Sequence, residues 1–135
     1  GRVVEVTVDS ARGLPSVGFL SSCNALVTVR WEGSSRTGAP LTTEAVTDSL
    51  SPVWQQAFRF RLPPSGFELL VMHRSMGAFD HPIGTVKLPL SRLEALGADF
   101  DEWLPIDLTS VKKAPPPELR IIVSSTDFTP TPHAS

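Results

Sequence analysis

The chain has 135 residues, of which 41% are hydrophobic and 19% are charged, and its formal net charge is -2. These values are typical of one folded domain with a single core, and they exclude a second full domain, a disordered chain and a strongly basic nucleic-acid binder. The lone cysteine, Cys23, has no partner for an internal disulfide, which favours a reducing, cytoplasmic setting. No apolar run approaches the roughly 20 residues that span a bilayer, and the first residues do not resemble a signal peptide.

The predicted elements are mostly strands, because apolar and polar residues alternate along most of the chain. The first strand opens the domain with Val4, Val6 and Val8 on one face. The clearest alternation lies in residues 54–62, where four apolar side chains share one face, so this strand covers a core on one side only. In chain order the eight predicted strands cover residues 4–8, 25–31, 42–47, 54–62, 67–72, 83–88, 102–106 and 118–124.

One short helix is predicted after the sixth strand. Ser91 and Glu94 have the spacing of a capping box, in which each side chain bonds the free backbone amide of the other residue, and Gly97 offers a stop. This supports about one helical turn near 91–96. Eight short strands separated by turn residues favour an antiparallel β-sandwich, which we expect to fill residues 1–124 and to be followed by a flexible tail or linker over 125–135.

Three motifs along these strands together resemble the C2 domain family. In chain order they are Val4-x-Val6-x-Val8-x-x-Ala11-Arg12-x-Leu14-Pro15, then Ser51-Pro52-Val53-Trp54-x-x-x-Phe58-x-Phe60, then Ile83-Gly84 leading to Leu88-Pro89-Leu90-Ser91. The resemblance spans about Val3 to Ser124 and implies the C2 β-sandwich. A further strand after the one at 103–106 implies the type II circular permutation of that fold.

The resemblance implies that calcium, where a C2 domain binds it, lies between loops at one end of the sandwich. Calcium takes about six to eight oxygen ligands, many of them carboxylates. The positions that correspond to the family's calcium ligands carry Asn24, His73, Ser75 and His81, and loop one, residues 12–24, contains no Asp or Glu. Asp48 in loop two and Asp80 in loop three remain. We therefore predict a degenerate, calcium-independent member with no bound metal and no cofactor.

Zinc binding and catalysis are two alternatives with little support in the sequence. Zinc needs about four tetrahedral ligands, and Cys23, His73, Asp80 and His81 are of suitable types. The two histidines stand at opposite feet of one loop and no closely spaced ligand pair is present, so two ordinary loop histidines are favoured. The chain also lacks the Gly-x-Ser-x-Gly, phosphate-loop and His-Glu-x-x-His motifs, so we expect no enzymatic activity.

Apolar residues in loops one and three leave two interpretations open. If the loops insert into a membrane, each large side chain contributes about 1.5 to 3 kcal/mol, against about 1 kcal/mol for a basic residue near an anionic surface. Alternatively, these side chains fold back and cap the sandwich in place of calcium. The candidate membrane or partner contacts are Val17, Phe19, Leu20, Met76 and Phe79, with Arg12 and Arg74 as the basic residues.

The function predicted from the sequence is docking to another protein. The resemblance implies a second lipid site, a lysine-rich patch on the concave face, where this chain has Arg30 and Arg36 beside Glu32 and Glu44. Since both lipid-binding devices of the family are missing, protein contact in a scaffold or membrane-associated assembly leads. Peripheral binding to an anionic membrane through the loop tips is the alternative. We expect neither nucleic acid nor calcium as a partner, and a cytoplasmic location at a membrane or cytoskeletal structure.

Overall fold

The computed structural model describes residues 2–16, 23–34, 41–75, 79–97, 99–109 and 114–126. Within these residues, strands and one short helix build two antiparallel sheets. In chain order the elements are β1 (Val3–Arg12), β2 (Ala25–Arg30), β3 (Leu41–Thr42), β4 (Val53–Arg61), β5 (Gly66–Arg74), β6 (Asp80–Pro89), α1 (Leu90–Leu96), β7 (Phe100–Pro105), β8 (Asp107–Leu108) and β9 (Glu118–Thr126).

The two sheets confirm the predicted antiparallel β-sandwich. One sheet has the strand order β4-β1-β9-β7, and the other has the order β3-β2-β5-β6-β8. Each of the eight predicted strands has a counterpart, and the additional strand β8 is only two residues long, which is too short for an alternating pattern to reveal. The type II permutation stays a prediction.

The core lies between the sheets and is built by the alternation that the sequence shows. Val4, Val6 and Val8 of β1 are at most 3% exposed, and Phe58 and Phe60 of β4 pack against the same core. The register places Val6 opposite Phe58 and Val4 opposite Phe60, so both strands turn their apolar sides inward. Fully buried residues from the other strands include Leu69, Leu88, Leu119 and Ile121.

β1 carries a bulge at Asp9, where its register with both neighbouring strands shifts between Val8 and Ser10. The Asp9 side chain is mostly buried and accepts a hydrogen bond from Ser10 Oγ at 2.8 Å. Its carboxylate also lies 3.5 Å from Nη1 of Arg120 on β9. The bulge therefore holds a carboxylate whose partners offset the cost of its burial.

The predicted third strand over 42–47 is much shorter in the structure. It consists of β3, Leu41–Thr42, and one isolated bridge further along the chain. The hydroxyl of Thr43 accepts a hydrogen bond from the Val27 amide at 2.9 Å, while the Thr43 amide donates to the Val27 carbonyl at 2.9 Å. A side-chain oxygen thus replaces the backbone carbonyl that would continue the ladder, and the strand ends.

The short helix is confirmed, but the predicted capping box is wrong. α1 begins at Leu90, one residue before Ser91, and Pro89 occupies the N-cap position without a side-chain hydrogen bond. Because the helix starts early, Ser91 lies inside its first turn and cannot serve as the cap. The predicted stop at Gly97 is confirmed, since this residue has φ 96° and its amide donates to the Leu93 carbonyl at 3.0 Å.

The last strand runs two residues past its predicted end. Ser125 pairs with Val4 and Thr126 pairs with Val3, so the first and last strands lie side by side. The Ser125 amide also donates to Asp99 Oδ1 at 2.9 Å. These two residues belong to the sheet, and the exact boundary between domain and tail stays a prediction.

Candidate functional site

The predicted site lies at one end of the sandwich, where three connections meet. We define the loop end by its described residues: 13–16 with 23–24, 43–52, and 75 with 79. Backbone hydrogen bonds join these segments, from Leu14 to the Leu50 carbonyl at 3.2 Å and from Ser49 to the Cys23 carbonyl at 3.0 Å. Of the predicted contacts, Val17, Phe19, Leu20 and Met76 lie outside the described residues.

Asn24 joins all three connections through its amide side chain. Its Oδ1 accepts a hydrogen bond from the Asp48 amide at 2.8 Å, and its Nδ2 donates to the Arg74 carbonyl at 3.2 Å. Its own carbonyl accepts from the Arg74 amide at 2.9 Å. Asn24 stands where the resemblance places a calcium-binding aspartate, and here its amide group links protein to protein.

His73 is the buried polar centre of the loop end, with 4% of its surface exposed. Its Nδ1 accepts a hydrogen bond from the Asn24 amide at 3.0 Å and lies 3.7 Å from Cys23 Sγ. An accepting Nδ1 means that the neutral ring carries its proton on Nε2. Burial, and secondarily the charge of His81, lower the pKa of His73, so the neutral form is favoured.

Cys23 is fully buried beside this histidine. Burial in apolar surroundings raises the pKa of its thiol to about 11, because the thiolate loses its hydration there. The neighbouring imidazole therefore does not activate the thiol. The pair has the composition of a nucleophile and base but lacks their chemistry.

The β5–β6 hairpin carries an ion pair across its ladder. Arg74 and Asp80 are register partners, and the guanidinium bonds both carboxylate oxygens, at 2.9 Å from Nε and 3.2 Å from Nη2. The hydrogen bonds from Arg74 lower the pKa of Asp80. This two-point contact engages the carboxylate of the predicted loop three that the resemblance would offer to a metal.

Ser75, Phe79 and His81 complete the hairpin tip. The Ser75 amide and hydroxyl both donate to the Phe79 carbonyl, at 2.8 and 3.1 Å, and Ser75 Oγ lies 3.3 Å from His81 Nε2. The Phe79 side chain is 69% exposed, so it does not cap the core. The tip therefore presents one large aromatic group to the surroundings.

The residues at the family's calcium positions lie together, but their polar groups contact each other. Asn24 binds His73, and Ser75 binds His81, while the rings of His73 and His81 stack with centroids 6.4 Å apart. Within the described part of the chain, no group of three or more His, Cys, Asp or Glu side chains could hold a metal ion.

Arg12 lies away from the loop tips, on the four-stranded sheet. Its guanidinium forms an ion pair with Glu118 at 2.6 Å and stacks over the Trp103 ring at 3.9 Å from the centroid. The predicted role of Arg12 at a membrane stays untested. In this arrangement its charge is already shared with a carboxylate and an aromatic face.

Other arginines on the described surface also stand beside carboxylates. Arg30 of the predicted concave patch bonds Glu68 at 2.7 Å. Two further pairs lie on the four-stranded sheet, Arg59 with Glu5 at 3.2 Å and Arg120 with Asp101 at 2.6 Å. The described surface therefore alternates positive and negative groups where a polyanion-binding face would concentrate positive ones.

Sequence reasoning missed two features of the loop end. One is the bridge from Asn24 to Asp48, which depends on how two loops fold together and has no local signal. The other is the Arg74–Asp80 pair, for which a signal exists. In a hairpin centred on residue 77, residues 74 and 80 face each other, and their opposite charges predict a contact.

Two clefts lie elsewhere on the described surface. A cleft of about 320 Å³ lies beside α1 and is lined by Val4, Leu62, Leu90 and Leu93 with Arg2 and Glu94 among its other walls. A shallower one of about 230 Å³ lies on the five-stranded sheet beside Trp31. Among the described residues, no helix is long and apolar enough to cross a membrane.

Comparison with known proteins identifies relatives of this arrangement. The chain is 33% identical over 111 residues to Synaptotagmin-4 of Arabidopsis thaliana, and the match covers 78% of this chain but only 18% of that protein. A C2 domain of plant Extended Synaptotagmin 1 superposes with a TM-score of 0.77 and 19% identity over 95% of this chain and 96% of that one. The two C2 domains of Extended-Synaptotagmin 2, solved calcium bound, superpose with a TM-score of 0.72 and 16% identity over 92% of this chain and 45% of that one.

The family assignment rests on both sequence and fold. The family model described as C2 domain matches residues 2–106, which is most of the chain. The two antiparallel sheets agree with the solved C2 domains in architecture. The chain therefore belongs to the C2 domain family.

Proposed function

We propose that this C2 domain is a non-catalytic, calcium-independent docking module of a longer protein. The observation that carries the proposal is the Arg74–Asp80 contact, in which both carboxylate oxygens already bond a guanidinium. A calcium site in a C2 domain gathers carboxylates around a cation, and here the cation is a side chain of the protein itself. The loop end is thereby organised without a metal.

The rest of the loop end supports the same conclusion. A calcium ion would need about six to eight oxygens, and the amide oxygen of Asn24 is engaged with the Asp48 backbone. His73 presents an imidazole where the resemblance expects a carboxylate, and its accepting nitrogen is bound to Asn24. Building a calcium site would require breaking these contacts and would still leave too few carboxylates to offset the charge of the ion.

Another protein is the partner that we place first. The paired arginines give the described surface no concentrated positive charge, so attraction to anionic lipid headgroups would be weak. Interspersed charges and exposed strand edges suit contact with a protein, where complementary charges set orientation and specificity. We place this docking in the cytoplasm, in a scaffold or membrane-associated assembly.

Peripheral membrane binding is the second candidate, and the exposure of Phe79 favours it. A phenylalanine that is 69% exposed at a hairpin tip can enter lipid without any rearrangement of the core. Such insertion contributes about 1.5 to 3 kcal/mol per large side chain and depends little on charge. The candidate contacts Val17, Phe19, Leu20 and Met76 would add to it.

Sedimentation with liposomes separates these alternatives. The chain is mixed with neutral and with anionic vesicles, each with calcium and with chelator, and the bound fraction is measured. We expect no calcium-dependent binding, and we expect calcium to leave the melting temperature unchanged because a bound ligand would raise it. Calcium-dependent sedimentation, or a calcium-induced rise in melting temperature, would overturn the calcium-independent proposal.

A matched pair of variants then tests the role of the hairpin tip. Phe79→Asp removes the exposed aromatic group, and Val53→Asp removes an apolar side chain that is 57% exposed on the four-stranded sheet. Calcium-independent sedimentation that Phe79→Asp abolishes and Val53→Asp preserves would promote membrane binding to first place. Absence of sedimentation under every condition would leave protein docking as the function to pursue.

A further inference from the structure

A single ring nitrogen connects the segment before β2 to the β5–β6 hairpin. His73 Nδ1 accepts the hydrogen bond of the Asn24 amide at 3.0 Å, and this contact is available only to a neutral ring. Asn24 then passes the connection on to Asp48 and to the Arg74 carbonyl. The state of one imidazole thus decides whether three connections hold together.

We propose that the loop end is a proton-sensitive element: protonation of His73 breaks its hydrogen bond with the Asn24 amide and loosens the segment before β2 from the β5–β6 hairpin. The proton is taken up from solvent at Nδ1, which turns an acceptor into a donor. Two donors then face each other across 3.0 Å, and the contact becomes repulsive.

The groups around His73 oppose its charge. From the segment before β2 the neighbour is Cys23, whose burial keeps it a neutral thiol. From β6 the neighbour is His81, stacked at 6.4 Å, which is itself a base. From its own hairpin the nearest charges are those of Arg74 and Asp80, which bond each other at two points. No described carboxylate bonds the His73 ring, so a charged His73 gains no partner.

The direction of the pH effect follows from burial. Burial and His81 lower the pKa of His73 in the folded state below the ordinary 6.5. The unfolded chain therefore binds more protons than the folded chain between these two pKa values, and stability falls as the pH drops through this range. Above pH 6.5 both states carry a neutral ring, and this contribution no longer changes with pH.

This switch is independent of what the domain binds. Its use as a regulator of docking at the loop end rests on the function proposed above, whereas the switch itself rests on the hydrogen bonds of His73. Acidification would then expose backbone groups of the segment before β2 and free the amide of Asn24 for other contacts.

The test is a two-dimensional amide NMR titration of the full 135-residue chain from about pH 8 to about pH 5. We expect the amide signals of Cys23, Asn24, Asp48 and Arg74 to shift together with one midpoint below 6.5. An Asn24 amide signal that stays constant over this range would overturn the proposal.

Two variants assign the titration to its residue. His73→Gln keeps an oxygen that can accept from the Asn24 amide but does not titrate, so the shared shift should disappear. His81→Gln removes the neighbouring base, so the midpoint of His73 should move upward. The same shifts persisting in His73→Gln would assign them elsewhere and contradict the inference. If His73→Gln does not fold, an unmoved midpoint in His81→Gln still contradicts it.

The titration needs no partner, so its result is separate from the docking proposal. A positive titration with no detectable partner would leave the switch in place and remove only its proposed use. A negative titration with clear partner binding would remove the switch and leave the docking function intact.

Discussion

Individual residues at the loop end change their chemistry through burial. His73 is kept neutral and Cys23 is kept protonated, although both are reactive types in other settings. Their sequence neighbours do not reveal this, because desolvation depends on residues distant along the chain. Two predictions belong at this scale.

The Cys23 thiol should be unreactive in the folded protein. Its pKa of about 11 and its full burial leave almost no accessible thiolate at neutral pH. We expect Ellman's reagent to label it only after denaturant is added. A Ser51→Cys variant, which places a thiol at an exposed position, should label at once and serves as the control. Rapid labelling of the unaltered folded chain would contradict its burial.

Gly66 should be far less replaceable than Gly33, although both have positive φ. A Cβ at Gly66 would collide with the backbone of Leu88, Pro89 and Leu90, whereas one at Gly33 meets nothing within 4 Å. Gly33→Ala should cost about 1–2 kcal/mol, from backbone conformation alone. Gly66→Ala adds overpacking and should cost about 2–5 kcal/mol in all. Urea unfolding measures both, and equal losses would contradict the close approach at Gly66.

At the scale of elements, the two sheets are joined at the loop end by a side chain. Trp54 of β4 is 9% exposed, and its indole N–H donates to the Ala25 carbonyl of β2 at 3.1 Å. β4 and β2 belong to different sheets, so this bond fixes their spacing beyond what apolar packing alone requires.

Trp54→Phe should therefore destabilise the domain by about 1–3 kcal/mol, through a lost hydrogen bond and unfilled volume. The control is Trp103→Phe on β7, because Trp103 is half-buried and offers Arg12 a ring face that phenylalanine also has. We expect the control to cost about 0.5 kcal/mol or less. Urea denaturation compares the two, and similar losses would argue against a specific role for the indole N–H.

At the scale of the whole molecule, the sheet closes through its last residues. Ser125 and Thr126 pair with Val4 and Val3, and the Ser125 amide bonds Asp99. A chain shortened to end at Thr126 should keep the melting temperature of the full chain. One shortened to end at Ser124 should melt at a lower temperature, because it loses these pairs. Equal melting temperatures for the two shortened chains, measured by calorimetry, would place the functional boundary at Ser124.

Local patterns predict this fold well where they act through short range. The alternation of Val4, Val6 and Val8 determines which face of β1 is buried, so that strand could be predicted. Thr43 and Pro89 show the limit, because each ends or begins an element through contacts outside its own segment. β8 has only two residues and exists because β6 pairs with it.

The candidate site was predictable in position but not in its internal contacts. The sequence indicates which residues take the family's calcium positions, and the structure brings Asn24 close to His73 as that alignment requires. Whether those residues bind a ligand or each other depends on side-chain geometry that no spacing encodes. The Arg74–Asp80 pair is intermediate, since hairpin register makes it foreseeable once the turn is located.

The pairing of the first and last strands has a mechanical consequence. Val3 and Thr126 are register partners, so the two ends of the folded unit lie about one strand spacing apart, roughly 5 Å. Any polypeptide that precedes or follows them departs from the same pole, on the side away from the hairpin that carries Phe79. A pulling force applied through such flanking segments would act across the β1–β9 ladder and open it one pair at a time, while the opposite pole would bear no load.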